Sequence, residues 1–203
     1  MLCYRARMNF LAHCLLARGD DGLVMGALLG DFVRGRDALD ALPGPIRSGV
    51  RLHRRIDRHT DRSEPVQALR PRFPSPFRRY AGIVIDVGFD HCLAKDWARW
   101  AEGSLEAFDA EIRAVLARHQ PSVPHDLQRF INYADRRGLF AAYRDPGEIL
   151  FTLANMGRRF ARSNPLHRVG EIWDEVLPPM EAAFEALFPE LRTLAEDYRS
   201  RST

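Results

Sequence analysis

The segment Ile83-Val84-Ile85-Asp86-Val87-Gly88-Phe89-Asp90-His91-Cys92-Leu93 sets the strongest condition on the fold. It puts three ionisable side chains inside the most apolar stretch of the chain. A carboxylate taken out of water without a partner is costly, so buried ones are paired, hydrogen-bonded or metal-bound. Whatever surrounds this segment must supply those partners. The β-branched run from Gly82 to Val87 would suit a strand, but it continues unbroken into Asp90–Trp100 at helical period. That predicts one helix from Phe77 to about Ala101. On it Asp86 and Asp90 share a face, and His91 lies about 100° round from Asp90.

Three other places carry chemistry that could meet this helix. His53, Asp57 and Asp61 recur every four residues in Leu52-His53-Arg54-Arg55-Ile56-Asp57-Arg58-His59-Thr60-Asp61. On a helix they stack on one face, each step drifting by roughly 40°. With Arg54, Arg55 and Arg58 beside them, they could hold a hard divalent cation and an anionic substrate together. The alternative is a solvated face laced with Arg–Asp pairs, which exposed helices form routinely. His13 interrupts the apolar segment Phe10–Ala17, as a core histidine or as a ligand. Asp31 follows Gly26 and Gly30, as a helix-end partner of a nearby arginine or as a ligand. The two glycines stand one turn apart, at a cost in helix propensity of about 1 kcal/mol each relative to alanine, and close helix packing would explain them.

The remaining chain reads as helical. Helices are predicted from Pro43 to about Asp61, a shorter one from Ser63-Glu64-Pro65, and others from Ser104 to near His119 and from Asp126 to Arg136. Pro121 to Pro124 reads as a linker. Further helices start at Asp145-Pro146 and at about Arg168, the last with a kink expected at Pro178-Pro179. This predicts an all-α, single-domain helical bundle. At 203 residues the chain can bury a core without disulfides or metal. No apolar run reaches the roughly 20 residues of a membrane span, and the start lacks the apolar core of a signal peptide. Cys3, Cys14 and Cys92 have no framework spacing, so a cytoplasmic protein with reduced thiols is expected. Lys95 is the only lysine, so the positive charge is guanidinium, suited to phosphate and carboxylate. A net charge of +3 is too modest to argue for nucleic acid. No Gly-rich phosphate loop, GxSxG, HExxH or zinc-type CxxC occurs.

Four stretches together resemble the acyl carrier protein phosphodiesterase family, also called acyl carrier protein hydrolases. They are Met8-Asn9-Phe10-Leu11-Ala12-His13, Gly30-Asp31-Phe32-Val33-Arg34-Gly35, Gly49-Val50-Arg51-Leu52-His53-Arg54-Arg55-Ile56-Asp57 with Thr60-Asp61, and Asp86-Val87-Gly88-Phe89-Asp90-His91-Cys92-Leu93. Weaker matches run through Asn132-Tyr133, Tyr143-Arg144 and Leu153-Ala154-Asn155-Met156. The resemblance implies a distorted version of the HD-domain phosphohydrolase fold with a divalent ion, Mn²⁺ or Mg²⁺. It implies hydrolysis of holo acyl carrier protein, a small acidic helical partner, to apo carrier and 4′-phosphopantetheine.

Carried onto this chain, the resemblance implies a metal region of His13, Asp31, His53, Asp57, Asp90 and His91, with Asp86 beside it. Asp61 or Asp86 would then serve as general acid or base, and Arg34, Arg54 and Arg55 would stabilise charge on the leaving serine oxygen. Arg78 and Arg79 join these arginines as a surface that steers the partner. Arg51 stands where some relatives carry a further histidine. Residues 1–7 precede the family pattern and are expected to be a non-native or disordered extension to a domain spanning 8–203. Two rival readings remain: an HD-type hydrolase of another phosphate ester or nucleotide, and a non-enzymatic Arg-rich helical binding protein.

Overall fold

The computed structural model describes residues 10–119 and 140–201. Those residues form helices and 3₁₀ turns with no strand among them, so the fold class is all-α. The predicted segment Asp126–Arg136, the Pro121–Pro124 linker, the Asn132-Tyr133 match and the extension 1–7 lie outside the described residues.

The first half is built on a close helix pair. Helix α1 is Phe10–Leu16, α2 is Asp21–Leu29, α3 is Gly35–Asp40 and α4 is Gly44–Arg62. Asp20 starts α2 by accepting the Leu23 amide at 2.8 Å. Close packing is what the glycines provide. A Cβ on Gly26 would collide with the Ile46 carbonyl oxygen and with Gly49, so α2 and α4 meet backbone to backbone there. Helix α5, Glu64–Leu69, follows α4 directly across Ser63.

The apolar segment is shorter and more broken than its sequence suggests. Phe77–Tyr80 is a 3₁₀ turn, helix α6 runs Ala81–Lys95, and α7 is Trp97–Trp100. The break falls at Asp96, whose backbone (φ −107°, ψ 33°) leaves the helical region. Helix α6 is buried nearly all round from Val84 to Ala94, so it passes through the centre of the molecule. Helix α8, Leu105–His119, and α9, Pro146–Gly157, flank the core. Helix α10, Trp173–Ser200, begins later than expected, after a 3₁₀ segment Leu166–Glu171. It continues as helix through Pro178, Pro179 and Pro189 and packs against α4, α5 and α6. Its aromatic face, with Phe184 stacked on Phe188 at 4.9 Å and Trp100 edge-on to both, closes the core on one side. Among the described residues no helix is long and apolar enough to cross a membrane.

Candidate metal centre

Helix α4 contributes His53, and the α2–α4 contact orients it. The His53 Nδ1–H donates to the Ala27 carbonyl at 2.8 Å, which fixes the tautomer and leaves the Nε2 lone pair for the interior. Gly30 ends α2 against the imidazole, where any Cβ would fall on the ring itself. His13, on α1, stacks on His53 with ring centroids 3.9 Å apart and planes 17° from parallel. Asp57, one turn along α4 from His53, bridges the two: Oδ1 is 3.1 Å from His13 Nε2, and Oδ2 is 3.5 Å from His53 Nε2. Asp31, in the turn after α2, brings Oδ1 to 3.7 Å from the same His53 nitrogen.

His13, His53 and Asp57 each offer a ligand atom, all within 4.8 Å of one another. Both histidines are buried, while the Asp57 and Asp31 side chains stay 15% and 17% exposed, so the cluster opens toward solvent on its carboxylate side. His53 Nε2 and Asp31 Oδ2 are buried atoms with no hydrogen-bond partner. An imidazole nitrogen facing two carboxylates without a hydrogen bond to either is what a bound cation would satisfy. Imidazole plus carboxylate, with no thiolate, is a donor set suited to a divalent ion. The electrostatics agree. Burial acts to lower the His53 pKa, but the facing Asp31 and Asp57 outweigh it and push it up to about 10. Burial acts to raise Asp57, and the hydrogen bond with His13 together with the charges of His13 and His53 holds it well below the usual carboxylate range. Burial, with the charge on His53, keeps His13 below its ordinary value. The pair of carboxylates therefore demands positive charge, supplied by a proton on His53 or by an ion.

The α6 residues make buried contacts of their own. Asp90 is fully buried, and its Oδ2 and Oδ1 accept the Leu11 and Ala12 amides, each at 3.0 Å. Both lie in the first turn of α1, whose amides have no partner within the helix. Burial pushes Asp90 up to about 8 against the effect of those two bonds. In this arrangement the Asp90 carboxyl group pins the helix that carries His13. His91 Nδ1–H donates to the Tyr143 carbonyl at 2.8 Å, as His53 does to Ala27, and its ring lies edge-on to Trp173 at 5.7 Å. Asp86, half-buried one turn before Asp90, is not in the cluster.

The other expected residues frame the site at different distances. Asp61 pairs with Arg70 at 3.2 Å. Arg54 Nη2 donates to the Val33 carbonyl at 2.8 Å, tying α4 to the turn that bears Asp31. Arg34 is exposed at the start of α3, and Arg55 is exposed on the outer side of α4. Two contributors had no sequence signal. The Ala27 carbonyl acts through its backbone, and Arg199 reaches back 183 residues to bond the Leu16 carbonyl at 2.7 Å, at the opposite end of α1 from Asp90.

Comparison with known proteins gives a consistent result. The family model described as acyl carrier protein phosphodiesterase matches residues 8–191. A protein of that name from Klebsiella pneumoniae is 33% identical over 193 residues, covering 94% of this chain and 98% of the relative. Its namesake from Yersinia enterocolitica is 31% identical over 191 residues, with the same coverage. One from Escherichia coli is 33% identical over 188 residues, covering 91% of this chain and 95% of the relative. No solved structure matches.

Proposed function

This chain belongs to the acyl carrier protein phosphodiesterase family, and on that footing we propose that it hydrolyses holo acyl carrier protein. The bond cut is the phosphodiester between a carrier serine and 4′-phosphopantetheine. The products are apo carrier and 4′-phosphopantetheine. The observation that carries the reading is the buried His53 Nε2, which makes no hydrogen bond and faces Asp31 and Asp57 beside His13.

His13, His53 and Asp57, with Asp31, would hold one divalent cation, and their oxygen and imidazole donors favour Mn²⁺ or Mg²⁺. When bound, such an ion supplies a water of lowered pKa and positive charge for the phosphate oxygens. The protein does the rest. Asp31 and Asp57 form the solvent-facing rim of the cluster and keep their carboxylates turned toward His53. Arg54, anchored on the Asp31 turn, and Arg34, on the same turn, present guanidinium groups to the phosphodiester. Asp61 and Asp86 are the remaining acid–base candidates. Asp61 is the better placed of the two, one turn beyond Asp57 on the same helix and held by Arg70.

The test is elemental analysis followed by incubation of the Mn²⁺-loaded protein with holo carrier, reading pantetheine release by mass spectrometry, with Asp57→Ala as control. Release by the wild type and not by the variant is expected. Failure of the metal-loaded wild type to release 4′-phosphopantetheine would sink the assignment. Turnover of small phosphate esters alone would point to the other hydrolase reading.

A further inference from the structure

Helix α4 has a second patterned face. Arg51, Arg55, Arg58 and Arg62, spaced by four, three and four residues, fall on the side turned away from His53 and Asp57, and all four are exposed. At 1.5 Å per residue the row is about 16 Å long. None of the four forms an ion pair or a side-chain hydrogen bond with another described residue. Several other arginines are matched to acids, among them Arg18 to Glu111, Arg70 to Asp61 and Arg118 to Asp21. At the edge of the row Glu190 of α10 is already taken, by His59 at 2.9 Å.

The row gathers four guanidinium groups along one face of a single helix. Like charges one turn apart on a helix destabilise it, so the isolated chain gains nothing from this arrangement. The arginines expected to steer a partner divide accordingly. Arg54 is committed to Val33, and Arg78 turns back onto the Phe73 and Pro71 carbonyls, whereas Arg55 belongs to the open row.

We propose that Arg51, Arg55, Arg58 and Arg62 form the docking surface for an acidic face of the carrier protein whose serine enters the His13–His53–Asp57 cluster. The inference rests on the function proposed above. A protein substrate must be gripped outside the catalytic cluster, and a row on the helix that bears His53 and Asp57 registers the bound protein against them. A helix is only about 10–12 Å across, so one small partner can touch the row and reach round to the cluster. A membrane surface fits less well, because Phe151, on α9, is the exposed large hydrophobic residue among those described. A nucleic acid would require basic charge beyond this one row.

The experiment compares wild type with Arg51→Glu/Arg58→Glu/Arg62→Glu, both Mn²⁺-loaded and both checked by circular dichroism. Calorimetry reads holo-carrier affinity in a salt series from about 50 to about 500 mM. Wild-type affinity should fall with salt. The variant should bind more than about tenfold more weakly and raise KM similarly while keeping kcat and Mn²⁺ affinity. Asp57→Ala should bind carrier like wild type without turning it over. If the triple variant is unfolded, the same positions changed to Gln provide the comparison, with a smaller shift in the same direction. Unchanged affinity, KM and salt slope would overturn the proposal. So would row-dependent binding to RNA or anionic vesicles that carrier does not compete for. Carrier bound through the row but never hydrolysed would instead reject the activity and leave the docking surface standing.

Discussion

His53 works because residue 30 is glycine. A Cβ at Gly30 would occupy the space of the imidazole, whereas one at Gly26, a turn earlier, would strike the Ile46 carbonyl and Gly49. The two positions should therefore fail differently. Gly30→Ala should push the His53 ring off the Ala27 carbonyl and lower Mn²⁺ affinity by more than about tenfold, with a stability loss in the overpacking range of about 1–3 kcal/mol. Gly26→Ala meets rigid backbone and should cost at least as much stability, while the folded fraction keeps its metal affinity. Urea melts paired with Mn²⁺ titrations measure both. Equal metal affinity in Gly30→Ala and wild type would contradict this reading of the site.

At the scale of the element, α1 is the weak part that must be held. Seven residues cannot sustain a helix alone. Asp90 fixes its first turn and Arg199 its last carbonyls, and His13 lies between them. A residue that acts through His13 should lose its effect once His13 is gone. Asp90→Asn should weaken Mn²⁺ binding in the wild type and change little in a His13→Ala background, a non-additivity that a double-mutant cycle measures. Abolition of binding in both backgrounds would mark Asp90 as a ligand instead. The same carboxyl predicts a pH dependence. Its folded pKa of about 8 lies above the ordinary 3.8, so the folded state holds the proton that the unfolded chain releases. Its contribution is fully present below pH 3.8 and is lost as pH rises through about 8. The stability of wild type relative to Asp90→Asn should accordingly fall across that window, by up to about 1.4 kcal/mol per pH unit. Denaturant melts at pH 5 and pH 8 give the difference, and a relative stability that rose with pH would be incompatible with it.

For the whole molecule, the metal is expected to tune stability rather than create it. The core of α6, α9 and α10 is apolar and continuous without the cluster. A chain of this length folds without a structural ion. Dialysis against EDTA should leave the helical circular dichroism spectrum intact. Mn²⁺ at about 100 times its Kd should then add about 2.7 kcal/mol, seen as a rise in Tm. Asp57→Ala should show no such rise. Collapse of the fold on chelation would make the site structural and would require a different account of His13 and His53.

Much of the site was legible because it is written in side chains at helical spacing. His53 and Asp57 share a face of α4 for the reason their four-residue spacing gives, and Gly26 with Gly30 announced a close approach that the α2–α4 contact realises. Helical class followed from the same periodicity. For Asp90 and His91 the apolar sequence says that such groups need partners, not which partners. Their partners are backbone groups, the amides of Leu11 and Ala12 and the carbonyl of Tyr143, and a backbone group has no letter in the sequence. Packing also decided which arginines tie loops and which stand in the open row, since neighbours on the helix carry the same residue type. The sequence by itself determined that buried charge had to be compensated in a helical protein. Only the tertiary structure decided that a helix end meets Asp90 while His13, His53 and Asp57 converge in one cluster, because contacts 44 to 79 residues apart depend on how the helices pack.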